Sequence, residues 1–252
     1  MDKVYSAHEL AYQKLKKKGA KSWHEMYATE EGKEVDHIGT DRKRFIESIL
    51  EKEWSPKTGN ALEIGCGTGH LIRWINSKGF NSTGVDISST AIEMAKEQSI
   101  GLDLNFFKDD FCYSDSLKEK KFDLIIDGSC FHCIVEDKDR KLFIEKAHNL
   151  LRKDGVFILC TNCSPINQKA FSEKYKTQKY QNNIFYVPYE SQLEGSKIFN
   201  GKMYMAQRKI EHWQSILKLL KNANFEIKLF QYEKDKVFSK IYIAAIAIKI
   251  EE

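Results

Sequence analysis

From residue 60 onwards the apolar positions of the chain gather into short continuous runs, separated by polar stretches with helical spacing. "NALEIG" (60–65), "NSTGVDI" (81–87), "LDLNFF" (102–107), "KFDLIID" (121–127) and "DGVFILCT" (154–161) each read as a buried strand. Between them 70–78, 88–98 and 138–151 read as helices. Thr90-Ala91-Ile92-Glu93 has the form of a capping box inside the second of these. Phe143, Ala147, Leu150 and Leu151 share one face of the third, which stops at Lys153-Asp154-Gly155. Such alternation predicts a parallel sheet with helices on both faces.

The far end has a different rhythm. Ile210, Trp213, Leu217 and Leu220 make a helical stripe over 209–221. "FEIKLFQYE" (225–233) and "SKIYIAAIAIK" (239–249) follow, joined only by Lys234-Asp235-Lys236. A turn so short links antiparallel neighbours, since a parallel pair needs a longer crossover. Five parallel strands and a terminal antiparallel hairpin are therefore expected. Residues 1–59 read as three helices, the second opened by the capping-box pattern Ser22-Trp23-His24-Glu25 and the third spanning about 41–52. Residues 162–208 are polar and rich in tyrosine and phenylalanine, and read as a long connection of the lid or substrate-cap kind.

Composition adds limits rather than a function. The 252 residues suit one large domain. A charged N-terminal stretch without an apolar core, and a longest apolar run of eight residues (241–248), predict a cytoplasmic protein with no membrane partner. The net charge of +4 is mild, and runs such as Lys16-Lys17-Lys18 read as solvated faces rather than a nucleic-acid surface. Six cysteines in such a chain read as reduced thiols.

The chemistry starts at "ALEIGCGTGH" (61–70), where an apolar strand ends in Gly65-Cys66-Gly67-Thr68-Gly69 and a helix begins. Glycines let the backbone turn sharply and approach a ligand, and the free amides of the helix face the same point. Asp86 lies twenty-one residues after Gly65, at the tip of the next strand. A carboxylate there can accept from both hydroxyls of an adenosine ribose; the plainer role is to cap the helix that starts near Ser88. The dinucleotide fingerprint G-x-G-x-x-G is not met, since His70 stands where its third glycine would be.

"LEIGCGTGH", "GVDIS", "FKDDF", "FDLIIDGSCFH" and "LLRKDGVFI" occur in the order and spacing of the class I S-adenosylmethionine-dependent methyltransferases, which the chain resembles over about 58–161. The resemblance implies a Rossmann-like three-layer α/β sandwich with a seven-stranded, mostly parallel sheet. It divides a single domain into a helical cap (1–57), a cofactor-binding half (58–161), a substrate-cap insertion (162–208) and a terminal helix and hairpin (209–252). The implied cofactor is S-adenosyl-L-methionine, with S-adenosyl-L-homocysteine as product. Gly65, Gly67 and Gly69 would wrap its methionine portion, with Glu63 orienting the amino group. Asp86 would hold the ribose and Ile87 would pack on adenine. Asp110, or Asp109 one place earlier, would accept from the adenine amine, beside Phe111. Asp127, Gly128 and Ser129 would wall the methionine chain and the sulfonium.

On the acceptor side the resemblance places His132 where a proton acceptor could stand, although a histidine bonded within its own loop fits equally. Trp23, Tyr27, Phe131 and Tyr186, with Tyr189, are candidates for an aromatic wall that tolerates the sulfonium charge. His37 could join only if the N-terminal segment folds over the cleft. Cys130 and Cys133, with Cys160 and Cys163, form two C-x-x-C pairs at neighbouring strand ends. Their separation exceeds a zinc-ribbon interval and Cys160 lies within a strand, so buried thiols are expected and no metal. The Asn/Asp-Pro-Pro-aromatic signature of many base-amine methyltransferases is absent after the fourth strand. The expected reaction is methyl transfer to oxygen, nitrogen or sulfur of a small metabolite, by a monomer or homodimer. RNA or protein methylation, a nicotinamide-dependent oxidoreductase and a non-catalytic binding module are the rival readings.

Overall fold

The computed structural model describes residues 2–23, 25, 38–189, 196–234 and 237–249. Helix α1 (Asp2–Lys17) and α2 (Thr40–Leu50) precede an alternating series: β1 (Gly59–Ile64), α3 (His70–Ser77), β2 (Phe80–Asp86), α4 (Ser89–Glu97), β3 (Leu104–Lys108) and β4 (Phe122–Asp127). A 3-10 turn (Phe131–Cys133), α5 (Asp137–Leu150) and the long strand β5 (Leu151–Ile166) complete this half. Then come α6 (Gln168–Lys174), β6 (Lys179–Gln181), β7 (Ile184–Pro188), β8 (Lys197–Phe199), β9 (Lys202–Lys209), α7 (Trp213–Asn222), β10 (Phe225–Glu233) and β11 (Phe238–Ala247).

The main sheet has seven strands in the order β10-β11-β5-β4-β1-β2-β3. β1 to β5 run parallel, while β11 lies antiparallel between β5 and β10. This is the sandwich with a terminal hairpin that the sequence predicts. Because side chains alternate across a strand, each face builds its own core. Leu62, Ile64, Ile125, Phe157 and Leu159 pack beneath α5 and α7. Ala61, Leu124, Ile126, Ile158 and Cys160 pack beneath α2 and α3. The order of the strands reverses direction at β1 and β4, and the carboxyl ends at such a reversal form the crevice where ligands bind.

Local details depart from the sequence reading. Helix α4 is capped not at Thr90 but at Ser88, whose Oγ accepts from the Ala91 amide at 3.0 Å. Glu93 instead pairs with Lys16 of α1 at 2.9 Å. Ser22 Oγ accepts from the Glu25 amide, as the capping-box pattern predicts, and the Glu25 carboxylate accepts from the Lys21 amide. α5 passes straight into β5 at Leu151, with the left-handed Asp154 (φ 61°) inside the strand rather than in a separate turn. α7 begins at Trp213, leaving Ile210 in the core of the insertion.

The largest departure is in 162–208. This segment is no featureless connection: β6 to β9 make a four-stranded antiparallel sheet in the order β6-β7-β9-β8. Two-residue turns at Asn182-Asn183 (φ 52° and 63°) and Asn200-Gly201 (φ 50° and 74°) join its hairpins. Their left-handed backbone matches the twist of the flanking strands, and asparagine and glycine tolerate it. Phe171, Phe185, Val237 and Phe238 give the sheet its own apolar core, and β9 packs against the turn Phe131–Cys133.

That turn is held from below by Arg140 of α5, which is 1% exposed. Its guanidinium donates to the carbonyls of Phe131 (2.9 Å) and Ile134 (3.0 Å), pairs with Glu211, and stacks on the Phe131 ring at 3.8 Å. Removing one partner of a buried pair strands the other. Arg140→Ala should therefore lower stability by about 3–5 kcal/mol in urea unfolding; a loss below 1 kcal/mol would show that the clamp is dispensable.

Candidate functional site

Strand β1 delivers Glu63 and the glycine turn to the carboxyl edge, and β2 delivers Asp86 beside it. Gly65, Gly67 and Gly69 have φ of 68°, 52° and 79°, a region that side chains resist. A Cβ on Gly67 would stand 2.5 Å from the Tyr12 hydroxyl, so the turn is tightly covered as well as left-handed. Asp86 is 3% exposed and bridges two loops: Oδ2 accepts from the Gly67 amide and Oδ1 from the Ser88 amide, both at 2.9 Å. Asp86 thus fixes the amide of the cap residue Ser88, while its carboxylate also lies beside the glycine turn. Ile87 follows, half-buried at the strand tip.

After β3, the alternatives at 109 and 110 separate. Asp109 Oδ2 is taken by the hydroxyls of Ser114 and Ser116. Asp110 Oδ1 accepts from the Cys112 amide at 3.0 Å. Phe111 turns inward, ring to ring with Phe143.

At the tip of β4, Asp127 Oδ1 accepts from the amides of Cys130 (2.7 Å) and Phe131 (3.1 Å). Its Oδ2 is buried without a donor, as is Glu63 Oε2. Burial is the main influence on Asp127, pushing its carboxyl up to about 7 against the amide bonds and Arg42. Burial raises Glu63 as well, against Arg42 and the Ile72 amide. Gly128 allows this crowding, since a Cβ there would lie 3.0 Å from Glu63 Oε1. Ser129, at φ 94°, is a strained position held by the Arg42 guanidinium, which donates to its Oγ at 2.7 Å. Arg42 Nε is itself buried without an acceptor.

Helix α1 lies across this edge. Glu9 accepts from the Ser88 hydroxyl at 2.7 Å and from the Thr90 hydroxyl and amide. Burial works against its ionisation, yet those bonds hold its carboxyl at about 2. Tyr12 is buried against the glycine turn, with Trp23 edge-on at 5.5 Å. Glu9, Tyr12 and Arg42 are functional candidates that the sequence reading missed. Nothing in helical spacing marks them, because their role appears only when α1 and α2 dock on the sheet.

His132 is 5% exposed and its Nδ1 stands 3.2 Å from Thr161 Oγ1 of β5. Burial, then the charges of Arg208, Arg140, Arg42 and His8, lowers its pKa well below 6.5, so the imidazole is neutral. Phe131 is no wall of the cleft: it is fully buried between Arg140 and Phe143. Tyr186 is buried in the small sheet against Phe199, and Tyr189 is half-buried at its margin. Tyr27 and His37 lie outside the described residues. Among the described residues no group of three or more His, Cys, Asp or Glu is arranged to hold a metal. Cys160 and Cys163 face opposite sides of the sheet, and burial raises both thiols to about 12. A cavity of about 460 Å³ opens at the opposite, amino edge of the sheet, lined by Asn60, Asn81 and Asn105. It is remote from these groups, and the carboxyl edge is the chemical one.

A doubly wound sheet with a glycine turn and a strand-tip acid at its carboxyl edge is an arrangement suited to a nucleoside-like ligand. A model of a methyltransferase domain matches residues 62–157. A phosphoethanolamine N-methyltransferase of Plasmodium falciparum is 24% identical over 206 residues, 79% of this chain and 76% of that one. An uncharacterized methyltransferase of Schizosaccharomyces pombe is 31% identical over 121 residues, 47% of this chain and 76% of that one. The solved S-adenosylmethionine-dependent methyltransferase of Methanosarcina mazei superposes with a TM-score of 0.64 at 20% identity, covering 81% of this chain and 96% of that one. The chain belongs to the class I S-adenosylmethionine-dependent methyltransferases. S-adenosylmethionine is its cofactor.

The residues present fit that group. Its amino-acid end carries an ammonium and a carboxylate. The edge offers two buried carboxylate oxygens lacking a donor, on Glu63 and Asp127, and a buried Arg42 Nε lacking an acceptor. The signs match, and such orphaned groups are costly unless a ligand completes them. Two outcomes follow. Asp86→Ala should weaken S-adenosylhomocysteine binding by at least about 100-fold in calorimetry, having lost charge-assisted bonds; unchanged affinity in a folded variant would remove Asp86 from the site. An ionised Asp127 favours an ammonium, so affinity should strengthen roughly tenfold as pH rises from 6 to 8, through its pKa of about 7, and Asp127→Asn should flatten the profile. Tighter binding at low pH would contradict this assignment.

Proposed function

We propose that the protein transfers a methyl group to an oxygen, nitrogen or sulfur atom of a small metabolite, with His132 as the proton acceptor. The observation that supports this most is a neutral imidazole at the carboxyl edge, fixed through Nδ1 by Thr161, with Nε2 lacking a partner among the described residues. With the Nδ1 proton donated to Thr161, Nε2 presents a lone pair. An attacking heteroatom that carries a proton must lose it, and the Nε2 lone pair is there to accept it; the lowered pKa keeps that lone pair free but weakens it as a base.

S-adenosylmethionine supplies a methyl group on a positive sulfur that leaves as a thioether. The rest falls to the chain. Gly65, Gly67 and Gly69 bring backbone close to the amino-acid end, with Glu63 and Asp127 toward its ammonium and Arg42 toward its carboxylate. Asp86 holds the ribose hydroxyls; Ile87 and Asp110 serve the adenine. Tyr12, Trp23 and α1 cover the glycine turn and exclude water, and the small sheet closes the side next to His132. A cleft enclosed by α1 and this sheet suits a metabolite better than RNA or a protein chain. The relative named for phosphoethanolamine is consistent with such an acceptor.

A screen of metabolite pools with product mass as readout should yield a product 14 mass units heavier than its acceptor, the arithmetic of replacing H by CH3. His132→Ala should slow turnover by roughly 100- to 10,000-fold with S-adenosylhomocysteine affinity nearly unchanged. Near-normal turnover in that variant would end the role of His132 as base.

A further inference from the structure

Among the described residues, Arg208 is the arginine of the insertion sheet that the chain leaves without a carboxylate. It lies on β9, the strand packed against the turn that carries His132. It is half-buried, its guanidinium is 5.8 Å from the Phe185 ring, and its Nε is buried with no hydrogen-bond partner. Acids near the same end of β9 are committed elsewhere: Glu211 pairs with Arg140, and Asp137 with Lys209. Of the charges acting on His132, that of Arg208 is the strongest, and it acts on Cys133 too. The packing of β9 on the turn Phe131–Cys133 brings the arginine and the imidazole to the same edge, the first permanently charged and the second neutral.

A guanidinium offers five N–H donors in a planar fork whose natural complement is a carboxylate or a phosphate. In water an exposed arginine needs no partner; for one half-buried beside the Phe185 ring with Nε shut off from solvent, an oxyanion is the fitting one. We propose that Arg208 binds a carboxylate or phosphate group carried by the methyl acceptor, so that the substrate is an anionic metabolite anchored at the insertion while its nucleophilic atom meets His132. This rests on the methyl-transfer reading above. It also links binding to chemistry. The positive charge of Arg208 disfavours protonation of His132, and an anion seated between them offsets that charge and makes the imidazole a better base at the moment the acceptor arrives.

The test uses full-length protein loaded with S-adenosylhomocysteine, as wild type, Arg208→Gln and Arg208→Lys. Titration with S-adenosylhomocysteine reports that each variant is folded with an intact donor site. Inorganic phosphate and acetate then serve as probes in calorimetry, and matched acceptor pairs with and without an anionic group serve in turnover. Wild type should bind a probe at least about tenfold more tightly than Arg208→Gln, with Arg208→Lys between them. Preference for phosphate or for acetate identifies the anion. Turnover should be confined to anionic acceptors, with KM raised at least about tenfold in Arg208→Gln and kcat changed little. Equal probe affinity in wild type and Arg208→Gln would overturn the proposal. So would a neutral acceptor used with the same KM by both. Arg208-dependent probe binding with no methyl transfer to any acceptor would instead overturn the catalytic reading, and the acceptor's share of the proposal with it.

Discussion

One buried carboxylate organises the functional edge of this protein. Asp86 bridges the amide of Gly67 and the amide of Ser88, joining the loop after β1 to the loop after β2. Each of these bonds involves a charged acceptor and is worth about 1.5–3 kcal/mol. The bridge acts with the buried side chains of Cys66 and Thr68 and with the Cys66 amide's bond to the Val85 carbonyl to fix the shape of the glycine turn. Its left-handed glycines then leave the backbone open to close approach from above, where Tyr12 now stands. The strand-tip acid is a structural tie and, on the proposed reading, also the acceptor for the ribose hydroxyls.

A second layer of order comes from electrostatics in a dry setting. Glu63 and Asp127 are buried with one oxygen each unanswered, and Arg42 is buried with its Nε unanswered. Left alone, such groups cost stability, which is why burial raises both acids. A zwitterionic ligand end resolves all three. On the other side of β4, the same low polarity keeps His132 neutral, while Arg140 clamps its turn from beneath. The edge thus holds buried acids and an arginine with unanswered atoms in one half, and in the other a neutral imidazole and an arginine with no carboxylate among the described residues.

The sheet was legible in the sequence because its signals are local. Continuous apolar runs mark strands buried on both faces, and the three-residue link at 234–236 requires an antiparallel hairpin. The glycine turn and Asp86 were legible because both lie at fixed distances from strand ends. The insertion sheet was also written locally, in Asn182-Asn183 and Asn200-Gly201, yet these turn signals were outweighed by the polarity of 162–208. Phe131 and Phe111 lie in the core that packs on α5, a placement the sequence does not show, because an aromatic next to a motif looks the same whether it points outward or into the core. Glu9, Tyr12, Arg42, Arg140 and Arg208 were beyond reach, since each acquires its role through an element distant in the chain. Helix periodicity shows which face is apolar, not which polar residue will meet Ser88, Gly67 or His132.

The central claim is that the glycine turn and Asp86 together hold the methyl-donating nucleoside. A crystal structure of the protein with S-adenosylhomocysteine tests it most directly. The ribose hydroxyls should lie on the Asp86 carboxylate, with the amino-acid end among Glu63, Asp127 and Arg42. A ligand seated elsewhere, or one that leaves those three groups unanswered while Asp86 bonds only Gly67 and Ser88, would contradict it.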